Sequence, residues 1–351
     1  MPIGRLPFPR RKQGDSSLEQ RERFVRVAYQ GLLHREPEDM VLKYWVDALA
    51  KLTHAEILER FFNCEEFARV SKEKLFVSPG HFYSPIVNVA EAEAHLRRVE
   101  AQGTPEGVPG INIDREQMVR TWHKLLPFMR SAPFGENPGS GWRYGFVNPA
   151  YSWGDASVLH AMLRLNHPKK VIEIGSGWSS ACTIDTVESY LSGDCDLTFI
   201  EPHPQLLKEL LGETPIRAMI RILEREVQQV SLDTFESLQA GDILFIDSTH
   251  VLRTGSDVCY ELFEILPRLS PGVWVHFHDM FWPFEYLRIW VIEENRSWNE
   301  LYAVRAFLTD NAHWRVVMFN DYMAKLERDL IESTYPKFNR NPGGALWIQK
   351  Q

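Results

Sequence analysis

The sequence of 351 residues is poor in cysteine and contains no long apolar run. Its cysteines, Cys64, Cys182, Cys195 and Cys259, form no C-x-x-C pair. This spacing argues against a zinc knuckle or a dithiol redox motif, and it favours a reduced, cytoplasmic location. No apolar stretch approaches the roughly 18 residues that a membrane-spanning helix needs, so we expect no membrane span. The basic start, MPIGRLPFPRRKQGDSS, lacks the apolar centre of a secretory signal, and we interpret residues 1–16 as a flexible arm.

The chain also has no excess of positive charge. It carries 39 Lys and Arg against 47 Asp and Glu, a net charge of −8. Because nucleic-acid binding depends on clustered basic side chains, we expect no nucleic-acid partner. Residues 1–72 hold 13 basic and 11 acidic residues, a net of +2, so the remainder carries 26 − 36 = −10. This difference predicts a domain boundary near residue 72.

Residues 17–72 have the apolar spacing of a small helical module. Apolar residues recur every three or four positions in several segments, as on the buried face of a helix. Thr53, followed by Glu56, predicts a capping box at the start of one helix. The runs YQGLLHREPEDMVLKYWVDAL and EILERFFNCEEFARV resemble a small helical domain of unknown function that is distantly similar to phycobilisome linker domains. The resemblance implies a scaffold or recognition role, through a protein partner or a homo-oligomer.

Residues 73–150 alternate loops rich in proline and glycine with two helical patterns. We interpret them as a linker and an N-terminal extension of the domain that follows. From residue 151 to residue 351, short apolar runs alternate with helical segments, which predicts an α/β domain with a parallel sheet. The seven runs are 170–174, 197–201, 220–224, 242–247, 273–279, 315–319 and 345–349. The carboxyl ends of parallel strands meet at one edge of a sheet, where ligands bind.

A glycine loop follows the first of these runs. In the segment EIGSGWSS, Gly175 and Gly177 allow a tight turn between a strand and a helix. The next run ends in Glu201, which can accept hydrogen bonds from both hydroxyls of a ribose. The loop lacks the third glycine of a dinucleotide motif, since Ser180 occupies that place. Glu173 is also unfavourable beside a pyrophosphate, whereas it suits a cationic ligand such as S-adenosylmethionine (SAM).

The segments VIEIGSGWSS, FIEPHP, GDILFIDSTH and VHFHDMFWPFEY, in this order, resemble a family of bacterial class I SAM-dependent methyltransferases. The resemblance implies a Rossmann-like sheet of seven strands, mostly parallel, with the last strand antiparallel. It also implies SAM contacts from Glu173, Gly175, Ser176, Gly177 and Glu201. We add Asp247, at the end of the fourth run, to these predicted cofactor-binding residues.

Polar side chains at the ends of the fourth and fifth runs are the predicted catalytic residues. Methylation of a hydroxyl requires removal of a proton, and a histidine with a pKa near 6.5 is a suitable base. We therefore predict catalytic roles for His278, His250 and Asp247. A divalent metal held by Asp247, Asp279 and His278 is an alternative, because hard cations prefer oxygen ligands. It is weakened by Thr249, which stands where metal-binding relatives often have a second carboxylate. A purely structural role for most of these groups is the third possibility.

These features predict an enzyme that O-methylates a hydroxyl of a glycan or of a small biosynthetic intermediate. The glycan preference comes from the aromatic segment 280–300, whose rings suit stacking on sugars or could simply cover the sheet. One alternative is a nucleotide-dependent oxidoreductase or epimerase, although the chain has no Tyr-x-x-x-Lys pair among its candidate tyrosines. Another is a non-catalytic assembly protein that retains a vestigial methyltransferase fold.

Overall fold

The structure, a computed structural model, describes residues 17–33, 35–74, 76–139, 141–192 and 194–351. The predicted flexible arm, residues 1–16, lies outside these described ranges. The chain divides into two compact units, one ending at Asn88 and the other running from Val89 to Gln351. We refer to them as the helical unit and the sheet unit.

The described part of the helical unit contains short helices around an apolar core. They are α1 (Ser17–Ala28), which continues as a π-helical turn (Tyr29–Leu33), α2 (Asp39–Ala48), α3 (His54–Phe62) and α4 (Glu65–Lys74). The predicted capping box is present at the start of α3. The backbone N–H of Glu56 donates to the Thr53 hydroxyl at 3.3 Å, and the Thr53 N–H donates to Glu56 at 2.8 Å. Val25, Ile57 and Phe61 are buried at the centre of this core.

The sheet unit contains one sheet of seven strands, which confirms the predicted fold. The strands are β1 (Lys170–Ile174), β2 (Asp196–Ile200), β3 (Ile220–Leu223), β4 (Ile243–Ile246), β5 (Trp274–Phe277), β6 (Trp314–Phe319) and β7 (Leu346–Lys350). Their order across the sheet is β3-β2-β1-β4-β5-β7-β6. The first five strands pair in parallel, whereas β7 is antiparallel to both of its neighbours, β5 and β6. All seven predicted strands are present, with ends shifted by at most a few residues.

Helices surround this sheet. They are α5 (Val89–Ala101), α6 (Arg115–Arg130), α7 (Trp153–Asn166), α8 (Trp178–Tyr190), α9 (Gln205–Leu211), α10 (Leu232–Glu236), α11 (Asp257–Tyr260), α12 (Glu300–Leu308), α13 (Asn320–Leu326) and α14 (Arg328–Thr334). Shorter 3-10 or π-helical segments span Arg217–Met219, Val227–Gln229, Glu261–Ile265, Leu266–Arg268, Ile289–Glu293 and Pro336–Arg340. In the ranges that the structure describes, no helix combines the length and the apolar character needed to cross a bilayer.

The aromatic segment after β5 covers the sheet for most of its length. Phe281, Trp282 and Phe284 are buried in the core of the sheet unit. Trp290 and Trp298 are only partly buried. The buried rings therefore fill the core, whereas Trp290 and Trp298 keep part of their surface exposed.

Candidate active site

The loop after β1 fits tightly against the end of β4. Gly175 has a φ of +85°, and a Cβ atom at this position would collide with the backbone carbonyl oxygen of Asp247. Gly177 has an extended φ of 168°, and a Cβ there would only touch the Leu206 side chain at 3.5 Å. Position 175 therefore cannot hold a residue with a Cβ atom unless the backbone shifts. Position 177, beside the first turn of α8, has room for one.

Glu173 is a fully buried carboxylate beneath this loop. The hydroxyls of Ser179 and Ser180 donate to its Oε1 atom at 2.6 and 2.8 Å. Its Oε2 atom is buried and has no hydrogen-bond partner among the described residues. Burial raises the pKa of Glu173 to about 8, although the two serine hydroxyls oppose the shift. A buried, half-satisfied carboxylate is costly to a fold unless a cationic partner can bind it.

A cavity of about 700 Å³ opens along the carboxyl edge of the sheet. Gly175, Glu201 and Asp247 line it, at the ends of β1, β2 and β4. The backbone N–H of His203 donates to Glu201 Oε1 at 2.8 Å and so orients that carboxylate. Gln228, after β3, also lines the cavity, and its side-chain oxygen is buried without a partner in the described ranges. The cavity is therefore lined by the carboxylates of Glu201 and Asp247 and by the amide of Gln228, groups that can accept hydrogen bonds from a ligand.

Next to this cavity, a histidine lies between acidic side chains. The Nδ1 atom of His250 lies 2.7 Å from Glu300 Oε2. Its Nε2 atom lies 3.5 Å from Asp247 Oδ1 and 3.5 Å from Asp279 Oδ2. The His278 Nε2 atom lies 3.4 Å from the other oxygen of Asp279. The predicted catalytic residues are thus brought together, and Glu300 joins them.

The charges of this cluster follow from its contacts. Burial alone would lower the pKa of His250, but its carboxylate partners Asp247 and Glu300 raise that pKa well above the usual value. Burial likewise opposes the ionisation of Asp247, yet His278 and His250 lower its pKa to about 2. The pKa of His278 is raised despite burial, mainly by Asp279 and Asp247. At neutral pH, His250 is a cation between anions, which makes it a poor proton acceptor.

His276 has a different environment from His278, although the two rings share one side of the sheet as expected, 5.9 Å apart. His276 is fully buried and stacks on Phe245 with ring centroids 4.0 Å apart. Burial lowers its pKa well below the usual value. It is a neutral core residue, whereas His278 borders the partly exposed Asp279.

The cluster leaves little room for a divalent metal between its carboxylates. His250 Nε2 occupies the position between Asp247 and Asp279. Within the described part of the chain, no group of three His, Cys, Asp or Glu side chains is arranged to hold a metal ion. A metal at Asp247, Asp279 and His278 stays a prediction from the sequence.

The part of the chain that contains the glycine loop and His250 matches a known protein family. Residues 172–280 match the model of a family described as a methyltransferase domain. This chain carries a methyltransferase domain. The match begins within β1, includes the glycine loop and ends just after Asp279. The prediction of a methyltransferase from these motifs is therefore confirmed. Residues 14–70 match a second family, described as a domain of unknown function (DUF4214), which confirms the separate N-terminal domain.

Individual relatives of the methyltransferase domain are distant. The O-methyltransferase TomG of Streptomyces achromogenes, involved in tomaymycin synthesis and solved with SAM, is 15% identical, with a TM-score of 0.37 over 69% of this chain and 92% of that one. The Podospora anserina methyltransferase PaMTH1, bound to SAH, is 15% identical, with a TM-score of 0.36 over 74% and 96%. An uncharacterised protein of Archaeoglobus fulgidus is 27% identical over 169 residues, 47% of this chain and 75% of its own length.

Proposed function

We propose that this methyltransferase domain transfers the methyl group of SAM to a hydroxyl of a glycan or of a small biosynthetic intermediate. The observation that carries the proposal is the buried Glu173 carboxylate, whose Oε2 atom has no partner among the described residues. Gly175, two positions later in the chain, lines a cavity of about 700 Å³. A cationic, ribose-bearing ligand would satisfy both Glu173 and Glu201.

The residues around the cavity fit the parts of SAM. Glu201, already oriented by the His203 N–H, would accept hydrogen bonds from the ribose hydroxyls. The backbone of Gly175, Ser176 and Gly177 can approach the ligand closely, because no side chain fills the space at Gly177. Glu173 would attract the positive charge of the methionine part. SAM supplies an electrophilic methyl group, so the protein has only to align the acceptor, exclude water and remove a proton.

His278 is the proposed proton acceptor, because its pKa is raised less than that of His250, which lies well above the usual value. Its Nε2 atom lies 3.4 Å from Asp279 Oδ1, and Asp279 would stabilise the imidazolium that forms when the acceptor hydroxyl loses its proton. His250 serves differently, since its cationic ring links Asp247 to Asp279. Of the predicted catalytic residues, we thus propose His278 as the base, with His250 and Asp247 holding the reaction centre in place.

The proposed chemical class of the methyl acceptor depends on the side chains around His250. The ring of Trp298 packs on His250 with centroids 4.4 Å apart and is partly exposed. The Arg296 guanidinium lies over both Trp290 and Trp298, at 4.3 and 4.5 Å from the ring centroids. Arg296 and His250 already cover faces of these rings, so a sugar or flat ligand would contact their partly exposed remainder. The acidic character of residues 73–351 disfavours a nucleic-acid acceptor.

For the rest of the chain, we propose that the helical unit recruits a protein partner or a second copy of the chain. Its match to a domain of unknown function and its apolar core are compatible with such a role. We also retain as proposals a cytoplasmic location and the domain limits 17–72, 73–150 and 151–351.

Three experiments test the proposed function. Calorimetry on the full chain should detect binding of SAM and no binding of NAD, whereas the reverse would favour an oxidoreductase. Gly177→Ala, which the fold tolerates, should weaken SAM binding while leaving the thermal unfolding temperature nearly unchanged. Isotope-labelled SAM added to host extracts with the enzyme should then label a sugar or a small hydroxylated metabolite. A labelled protein or nucleic acid as the main product would contradict the proposal, and no labelled product would favour the vestigial assembly protein.

A further inference from the structure

His250 is fixed to the start of α12 through its backbone. It has a left-handed conformation, with a φ of 61°. Its carbonyl oxygen accepts hydrogen bonds from the N–H groups of Asn299 and Glu300, both at 3.1 Å. Nearby, the Asn299 side-chain oxygen accepts from the Leu252 N–H at 2.6 Å, and its Nδ2 donates to the Leu252 carbonyl at 3.3 Å. The loop after β4 is thus bound to the first turn of a helix that begins 50 positions later.

The side chain of His250 is fixed by the same turn. Glu300, at the first position of α12, is 1% exposed, and its Oε2 atom lies 2.7 Å from His250 Nδ1. The Trp298 ring packs on the imidazole, with centroids 4.4 Å apart. With Nδ1 donating to Glu300, the Nε2 atom is directed at Asp247 and Asp279, at 3.5 Å from each. One orientation of the ring thus brings its two nitrogens within 3.5 Å of three carboxylates.

We propose that Glu300 is a positioning residue of the methyl-transfer site, which orients His250 so that its Nε2–H joins Asp247 to Asp279. The catalytic meaning of this inference rests on the proposed function, whereas the orientation of the ring does not. Carboxylates that accept from one ring nitrogen of a histidine fix its tautomer and the direction of the other nitrogen. Without Glu300, the ring would be free to turn, and the carboxylates of Asp247 and Asp279 would lose the group between them.

The orientation can be measured directly in the full-length protein by ¹⁵N spectra of the histidine rings. Wild-type His250 should show a protonated Nδ1 with a strongly hydrogen-bonded, slowly exchanging proton. Glu300→Ala should abolish this signal, and Glu300→Gln, whose amide oxygen can still accept a hydrogen bond, should retain it at a smaller shift. Asp185→Asn is the control, because Asp185 is equally buried but pairs with Arg143 rather than with the ring. An unchanged His250 signal in Glu300→Ala would overturn the proposal.

Methyl transfer provides the second readout, with the acceptor identified by the labelling experiment. Misplacement of a reacting group by about 1 Å can cost about 100-fold in rate. We expect Glu300→Ala to lower kcat by about 10- to 100-fold, Glu300→Gln to lower it less, and KM for SAM to change by no more than a few-fold. A changed ring signal with unchanged kcat would overturn the positioning role. If the wild type transferred no methyl group, the proposed function would fail, and the ring spectra alone would decide whether Glu300 orients His250.

Discussion

The two units of the chain bury different kinds of side chain. In the described part of the helical unit, the buried residues are apolar, apart from the Tyr29 hydroxyl, which accepts from Trp45 Nε1 at 3.2 Å. The sheet unit buries carboxylates and histidines as well, Glu173, Glu300 and His250 among them. Both units have a continuous hydrophobic core. The difference therefore lies in the polar groups that the sheet unit adds to its core.

Buried ionisable groups destabilise a fold, and in the described residues they are concentrated in the sheet unit. Moving a carboxylate out of water destabilises a fold unless partners compensate it. Some carboxylates in the sheet unit have partners on both oxygens: Asp155, for example, accepts hydrogen bonds from Asn320, Gly344 and Ala345. Glu173 has a partner on one oxygen only, and Gly175, two positions later, lines the cavity. We therefore expect Glu173, rather than Asp155, to gain a partner when a ligand binds.

The largest expected effect comes from the proposed base. Loss of a general base typically lowers a rate by about 10²–10⁴-fold. We expect His278→Asn to lower kcat for methyl transfer by this amount and to leave the Kd for SAM nearly unchanged, as measured by label transfer and calorimetry. The control is His54→Asn in the helical unit, whose exposed ring only contacts Phe24, and it should not alter kcat. Equal losses in both variants would contradict a chemical role for His278.

The next effect concerns SAM affinity. A hydrogen bond to a charged group contributes about 1.5–3 kcal/mol, which corresponds to roughly 10- to 100-fold in Kd. Glu173→Gln should therefore weaken SAM binding by roughly 10- to 100-fold at pH 8.5, where the wild-type carboxylate is ionised. Glu66→Gln in the helical unit removes a carboxylate paired with Arg35 on a partly exposed surface and should leave the Kd unchanged.

Glu173→Gln should also change stability, with a sign opposite to that of its effect on binding. The folded-state pKa of Glu173 is raised to about 8, so the stability that the protonated acid provides is lost as the pH rises through that value. The glutamine variant avoids this loss. Thermal unfolding above pH 8 should therefore find it at least as stable as the wild type, and a strongly destabilised variant would mean that Glu173 is a structural group.

A smaller effect is expected from pH alone. In the free protein, Glu173 with a pKa of about 8 is largely protonated at pH 7, and binding of a cationic ligand favours its ionised form. SAM binding should then release a proton, and the affinity should fall by about fivefold from pH 8 to pH 7. Calorimetry in two buffers of different ionisation enthalpy measures that proton. In Glu173→Gln, the dependence should be largely absent, which separates it from titration of SAM itself.

Local patterns in the sequence predict the strands and the turn that form the site, but they do not predict the protonation states of its side chains. The strands, the turn at Gly175 and the capping box at Thr53 depend on neighbours a few positions away, and each was predicted correctly. Glu300 is 50 positions from His250, and no local pattern links them. Its role, and with it the cationic state of His250, depends on packing of α12 against the loop after β4. Long-range contacts of this kind require the structure.

The smallest expected effect tests whether the two units act separately. Phe61 is 2% exposed in the core of the helical unit, and its ring packs at 5.0 Å from that of Tyr29. Replacing a buried phenylalanine by alanine costs about 3–5 kcal/mol, so Phe61→Ala should strongly destabilise that unit in circular dichroism or proteolysis experiments. Calorimetry on the same variant should find the Kd for SAM unchanged within a factor of two, because every residue proposed to bind SAM lies between Glu173 and Asp247 in the sheet unit. A large loss of SAM affinity in a variant whose sheet unit remains folded would show that the helical unit contributes to the SAM site. The proposed division, with partner recognition in the helical unit and methyl transfer in the sheet unit, would then be wrong.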